Sequence, residues 1–169
     1  MTQNNQAISQ SEYDALVQIK TIDEQLAYLA VLTNQGLKPL SRWEKPLSDE
    51  DLVLLTKLGL EAKRISRTVQ TKARVFETIF SLSPGYMDMY ENHFAGTPID
   101  KSAATIRFEG FLFGFPPCCV DQYIQHPYVK NGLETNSQKI LFHWACPDCK
   151  ITKILLPQYE KVYNFLESI

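Results

Sequence analysis

The chain has no cysteine before position 118, only 7 glycines and 3 histidines among its 169 residues, and no surplus of either charge. Each shortage excludes something. With 17 Lys and Arg against 19 Asp and Glu, the formal net charge is -2, so no global field draws the chain to nucleic acid or to an anionic membrane. No stretch approaches the roughly 18 consecutive apolar residues that a membrane span needs. The opening MTQNNQAISQ lacks both the basic region and the apolar run of a signal peptide. These absences predict a cytoplasmic location and no membrane partner. Hydrophobic residues make up 44% and charged residues 21% of the chain, which excludes a disordered, collagen-like or low-complexity protein. The length suits one domain with a sizeable core.

Helical patterns dominate the first half. After a polar tail at residues 1–10, Ser11 to Ile19 forms one helical stretch. Thr21 and Glu24 have the spacing of a capping box for a broadly apolar core helix that contains Leu26, Leu29 and Ala30 and is closed by Gly36. Residues Leu37 to Leu47 carry Pro39 and Pro46 around Trp43 and read as a loop. Ser48 and Asp51 open a short helix over Asp49 to Leu58, with Gly59 as its stop.

From Ala62 to Leu82 the period changes to two, which predicts an antiparallel hairpin turning at Gln70 to Ala73. A helix is the alternative there, because Glu61 to Arg74 contains no breaker. Lys63, Arg64, Arg67, Lys72 and Arg74 make this the most basic stretch. With no stacking aromatics interleaved, a solvated face explains them better than an anion or nucleic-acid patch does. Ser83 and Pro84 start a helix that ends at Gly96, and Asp100 or Ser102 starts the next. In that second helix the spacing of Ala104, Phe108, Phe111 and Phe115 predicts an aromatic stripe facing the core. Lys150 to Leu156 reads as strand or loop, followed by a C-terminal helix with Pro157 at its first position.

The four cysteines fall in two tight pairs, Cys118 with Cys119 and Cys146 with Cys149. In a reducing compartment such clustering favours metal ligation or redox chemistry over structural disulfides. Gly114 ends the preceding helix, and Pro117 suits the first turn of a new one running to about Gln125. Cys118 and Cys119 would then lie at a helix N-terminus, where free N–H groups and the dipole stabilise a thiolate. Cys146-Pro147-Asp148-Cys149 is a C-x-x-C turn that brings two sulfurs into one coordination sphere, like half of a zinc ribbon or a rubredoxin knuckle. A thioredoxin-type motif is the rival, but it expects a strand before the turn and a helix from its second cysteine. The adjacency of Cys118 and Cys119 is the difficulty, because neighbours on a regular helix diverge by about 100°. A site of three cysteines and a histidine is therefore the variant, with His143, three residues before Cys146, ahead of His126. His93, beside Phe94, reads as structural.

The run Gly114-Phe115-Pro116-Pro117-Cys118-Cys119, with His126-Pro127-Tyr128 and Phe142-His143-Trp144-Ala145-Cys146-Pro147-Asp148-Cys149, resembles the prokaryotic family called domain of unknown function 483. The resemblance spans roughly Tyr86 to Tyr159, and its most specific part is the glycine-aromatic-proline lead into two adjacent cysteines. That family has no assigned activity, so the resemblance implies no substrate, cofactor or catalytic role.

The reading is a mainly helical α+β domain over residues 11–169, with a small antiparallel β-hairpin and a cysteine-containing subregion at 115–159. Its leading function is metal binding. Cys118, Cys119, Cys146, Cys149 and His143 are the candidate ligands, and zinc is preferred to an iron–sulfur cluster because the spacing lacks a ferredoxin pattern. The alternative is a thiol-dependent enzyme or redox protein using Cys118 or Cys119 with Cys146 or Cys149, with His143 as base. A small molecule or a protein remains the expected kind of partner.

Overall fold

The computed structural model describes residues 9–69 and 73–169, which form eight helices and three strands, the strands all lying in the first half of the chain. Helix α1 spans Gln10–Ile22 and is opened by Ser9, whose side chain accepts from the Glu12 N–H while the Glu12 carboxylate accepts from the Ser9 N–H. The polar tail therefore ends at the cap, and residues 1–8 lie outside the described part. Thr21 is not a cap. It lies inside α1 and donates its hydroxyl to the Val17 carbonyl. The cap of α2 (Glu24–Asn34) is Asp23, which leaves the helical region at φ -166 and accepts from the Gln25 and Leu26 N–H groups. Every residue of α2 from Leu26 to Thr33 is buried, as its all-round apolar pattern requires.

Strand β1 (Leu40–Trp43) occupies what reads from sequence as a loop. Two prolines bound it, which is tolerable because a short edge strand needs few ladder donors. Helix α3 (Asp49–Lys57) has the expected Ser48 cap. Strands β2 (Glu61–Thr68) and β3 (Arg74–Ser81) form the expected hairpin, and the sheet order is β1-β3-β2, antiparallel throughout. Gln70 to Lys72, in the expected turn, lie outside the described residues. Helices α4 (Pro84–Phe94), α5 (Ala103–Leu112), α6 (Pro117–Gln125), α7 (Thr135–Lys139) and α8 (Lys150–Glu167) follow.

The sheet is covered on both faces. Registers such as Arg42 opposite Ile79 and Ile65 opposite Glu77 put Leu40, Ile65 and Ile79 on one face, where they pack with Met87, Tyr90 and Phe94 of α4 and Leu112 of α5. Trp43 and Phe80 point the other way into a larger core with α1, α2, α3 and α8, and that core includes Cys119 and Cys149. Arg67 corrects the solvated-face reading. It shares the face of Ile65, is 2% exposed, and stands 3.4 Å from Glu109 and 3.9 Å from Glu77. Arg42 pairs with the same two carboxylates, and the Tyr90 hydroxyl donates to Glu77. Lys63 and Arg64, by contrast, pair at the surface with Glu91 and Asp49.

The aromatic stripe expected on α5 holds at Phe108 and Phe115, which pack against the smaller core, and is corrected at its other two positions. Ala104 and Phe111 are exposed, and the buried positions are Thr105, Gly110 and Leu112. The inward face is set by Glu109 reaching Arg42 and Arg67 and by Gly110 meeting α6. Last, Lys150 to Leu156 is neither strand nor loop. It forms the first seven residues of α8, which runs through Pro157.

Candidate metal centre

The two cysteine pairs are delivered by two helix N-termini. Helix α5 stops at Gly114, whose φ of +70 provides the left-handed residue that ends a helix. There is no room for a side chain at this point, since a Cβ would lie 2.7 Å from Pro39 Cδ. Pro116 caps α6 and Pro117 is its first residue, so Cys118 and Cys119 take the second and third positions. Their adjacency is no obstacle here. Cα–Cβ bonds tilt toward a helix N-terminus, so two side chains of the first turn can both reach past the end of the helix despite their angular divergence.

The second pair closes from the other side. Residues 126–146 are held by amide side chains: Asn131 donates to Gln138 Oε1 and to the Ala145 carbonyl, and Gln138 Nε2 donates to the His143 carbonyl. Asp148 takes a left-handed φ of +54, a conformation Asp tolerates, and the Cys149 N–H returns to the Cys146 carbonyl at 3.2 Å. Cys149 is itself the cap of α8, with its sulfur 3.3 Å from the Thr152 N–H. The turn thus opens directly into a helix instead of a β-ribbon. It has the following helix that a thioredoxin-type motif expects, but no preceding strand, because 141–145 is irregular.

All four sulfurs lie within 4.8 Å of one another. The closest separations are 3.4 Å for Cys119 to Cys149, 3.5 Å for Cys118 to Cys149 and 3.8 Å for Cys119 to Cys146. Cys119 and Cys149 are buried, Cys146 is half-buried and Cys118 is exposed, so the cluster sits at the edge of the larger core with one sulfur toward solvent. Burial pushes the Cys119 thiol up to about 11 and also raises that of Cys146. Burial acts upward on Cys149 as well, but hydrogen bonds from the Thr152 side chain and N–H and from the Cys119 and Cys118 thiols outweigh it and bring it down to about 6. Negative charge in the cluster therefore settles first at the α8 N-terminus, where the helix dipole favours it. The Cys146 N–H, 3.3 Å from Cys119 Sγ, supplies a further donor to sulfur.

His143 is close to this group without belonging to it. Its Nε2 is 3.1 Å from Thr152 Oγ1, and that hydroxyl is 3.6 Å from Cys119 Sγ. Burial and the neighbouring Lys38 hold the imidazole down at about 4, so it is neutral. His126 is exposed at the C-terminal end of α6. His93 packs between Phe94 and Phe108, with ring centroids 4.6 and 4.3 Å away. Sequence reasoning missed Thr152. Its signal is the three-residue step from Cys149 to Thr152, which matters only once α8 is known to begin there.

No protein-family model, curated protein or solved structure matches the chain. The fold and the site together define a mainly helical domain with a small antiparallel sheet, whose C-terminal third carries a cluster of four cysteines able to coordinate a metal ion. No helix among the described residues is long and apolar enough to cross a membrane.

Proposed function

We propose that the protein is a small metal-binding protein in which Cys118, Cys119, Cys146 and Cys149 hold one structural zinc ion. The observation that carries this reading is the convergence of four sulfurs within 4.8 Å. A tetrahedron built on zinc–sulfur bonds of about 2.3 Å has edges of about 3.8 Å, close to the shortest separations of 3.4 to 3.8 Å. An iron–sulfur cluster interposes an inorganic core that holds its cysteine sulfurs farther apart, so the spacing favours a single ion. Among single ions, a thiolate set at tetrahedral spacing favours zinc. Four thiolates around a divalent ion leave two negative charges, which the N-termini of α6 and α8 and the N–H groups of Cys146 and Thr152 offset. On this reading His143 orients Thr152 behind Cys119 and is not itself a ligand.

Zinc here joins α6 to α8 and contributes folding free energy to residues 115–159. A cytoplasmic location goes with the proposal, since four thiols kept for metal need a reducing compartment. So does membership of the domain of unknown function 483 family, which rests on the Gly114–Cys119 lead and the Cys146–Cys149 turn. The net charge of -2 and the ion-paired basic residues of β2 speak against nucleic acid as a partner. The test is cobalt substitution. Co(II) added to the metal-free chain should give the visible absorption of a tetrahedral thiolate site with one ion per chain. Cys146→Ser should weaken that binding at least about tenfold, while His143→Ala should leave the coordination spectrum in place. Absorption of an octahedral site, or none, would count against the proposal.

One observation favours a second reading, a redox thiol pair. Cys118 is exposed and only 3.5 Å from the Cys149 sulfur, whose thiol is brought down to about 6. Exchange with an external disulfide would then link the two cysteines. Metal-free protein with a single thiol that alkylates with a midpoint near 6, combined with failure to bind cobalt, would select this reading.

A further inference from the structure

Beside the sulfur cluster lies a cavity of about 1250 Å³, walled by β1, α5, α6 and the segment between Tyr128 and Trp144. Cys119 and His143 form part of its wall, but the group that marks it out is Lys38. This residue lies between the end of α2 and β1 and is 2% exposed. Its ammonium donates to the Phe113 carbonyl at 2.9 Å. Its other neighbours are aromatic faces, with Nζ 4.6 Å from the Phe115 ring centroid, 5.2 Å from Phe142 and 5.8 Å from Phe113. No carboxylate of the described residues forms an ion pair with it.

An ammonium has three donors, and burying it with a single acceptor and no counter-charge is unfavourable. The ring faces offset part of that cost, yet burial still brings the amine down to about 7. Leucine or methionine would fill the same volume without this strain. A second polar group here is also short of a partner: His143 packs on the Phe115 ring at 5.4 Å between centroids, and its buried Nδ1 makes no hydrogen bond. The remaining charge in the walls is mostly positive. Lys101, Lys130 and Lys139 form no ion pair among the described residues, Lys45 is paired with Asp23, and the two wall carboxylates, Glu44 and Glu109, are already held by arginines. Apolar walls with a few convergent polar groups are the usual form of a small-molecule site.

We propose that this cavity binds a small organic anion with a flat apolar body, with Lys38 as the counter-charge of its acid group and the Phe115, Phe142 and Trp144 rings packing against the body. The bound acid supplies the partner that the fold withholds from Lys38, and His143 Nδ1 offers a second polar contact. The inference does not depend on which ion the cysteines hold, since Lys38 and its rings belong to neither cysteine pair.

The experiment titrates the full chain by fluorescence with 8-anilinonaphthalene-1-sulfonate, a single acid group on fused aromatic rings, and with N-phenyl-1-naphthylamine, the same body without the acid. The proposal expects one saturable sulfonate site, displaced by 2-naphthoate and not by inorganic phosphate. Lys38→Met should weaken the sulfonate about tenfold or more while changing the neutral probe less than about twofold. Equal affinity for the two probes, equal loss of both in the variant, no change in either, or displacement by phosphate would overturn it. A second measurement needs no variant: in the wild-type chain, the 15Nζ resonance of Lys38 should shift on saturation with 2-naphthoate. An unmoved resonance while the acid binds would overturn the assignment to Lys38.

Discussion

Lys38 and Thr152 show how much of the chemistry rests on single side chains whose role depends on three-dimensional surroundings. Burial lowers the proton affinity of Lys38, and the consequence for stability has a definite sign. Its amine titrates near 7 in the folded chain, against an ordinary value of 10.5. Between those values the unfolded chain therefore binds more protons than the folded one, and this group makes stability rise with pH across that window. Its contribution is fully present above 10.5 and is lost as the pH falls through 7. Lys38→Met removes the dependence. Urea denaturation should find the variant more stable by a few kcal/mol at pH 7, roughly what a shift of three or so units at 1.36 kcal/mol each allows. The gap should narrow toward pH 10. A constant difference across that range would mean that Lys38 is not the titrating group. Nothing in Leu37-Lys38-Pro39 foretells this, because the aromatic rings around Nζ come from Phe113, Phe115 and Phe142. The cysteines differ. Their pairing is local, so candidate ligands could be named from spacing alone, while the convergence of adjacent Cys118 and Cys119 on one point and the place of His143 needed coordinates.

At the scale of elements, the cluster depends on how closely α5 and α6 approach. Gly110 faces α6, and a Cβ there would lie 2.6 Å from Val120 Cγ2. Gly110→Ala must push α6 outward or distort Val120, an overpacking cost of about 1 to 3 kcal/mol, and α6 carries Cys118 and Cys119. The expected result is a lower melting temperature together with weaker cobalt binding. Loss of stability with unchanged metal affinity would show that the helix contact does not position the sulfurs. Elements with strong local signals were legible in the sequence: the Ser48 box of α3, the period-two hairpin of β2 and β3, and Pro117 at the start of α6. Those decided by tertiary partners were not. Strand β1 exists because β3 offers it a ladder from Leu40 opposite Ser81 to Trp43 opposite Thr78. Helix α8 runs through Pro157 because Thr152, Tyr159, Val162 and Leu166 keep helical spacing on both sides of it and pack into the core. Tyr28 reinforces this by donating to the Tyr159 carbonyl. Packing there outweighs the roughly 3 kcal/mol that an interior proline costs.

For the whole molecule, two cores lie on opposite faces of one sheet, and the cysteines are built into the larger. Composition and pattern made the α+β class and the cysteine-bearing C-terminal third legible. They did not reveal that the sheet is covered on both sides or that Arg67 is buried between its layers, because both depend on long-range pairing. A bound ion should tie residues 115–159 to the α1–α2 layer through α8. A chelator should therefore raise amide exchange in 115–159 before it affects α1 and α2, and lower the melting temperature by about 10 °C or more. Uniform loosening of the whole chain would place the stabilisation elsewhere. The most direct test of the account is the metal content of protein purified without added metal, measured together with thiol reactivity. The account predicts one zinc per chain and four thiols that react only after the metal is removed. A chain free of zinc and iron, with all four thiols titrating freely in the folded state, would contradict it.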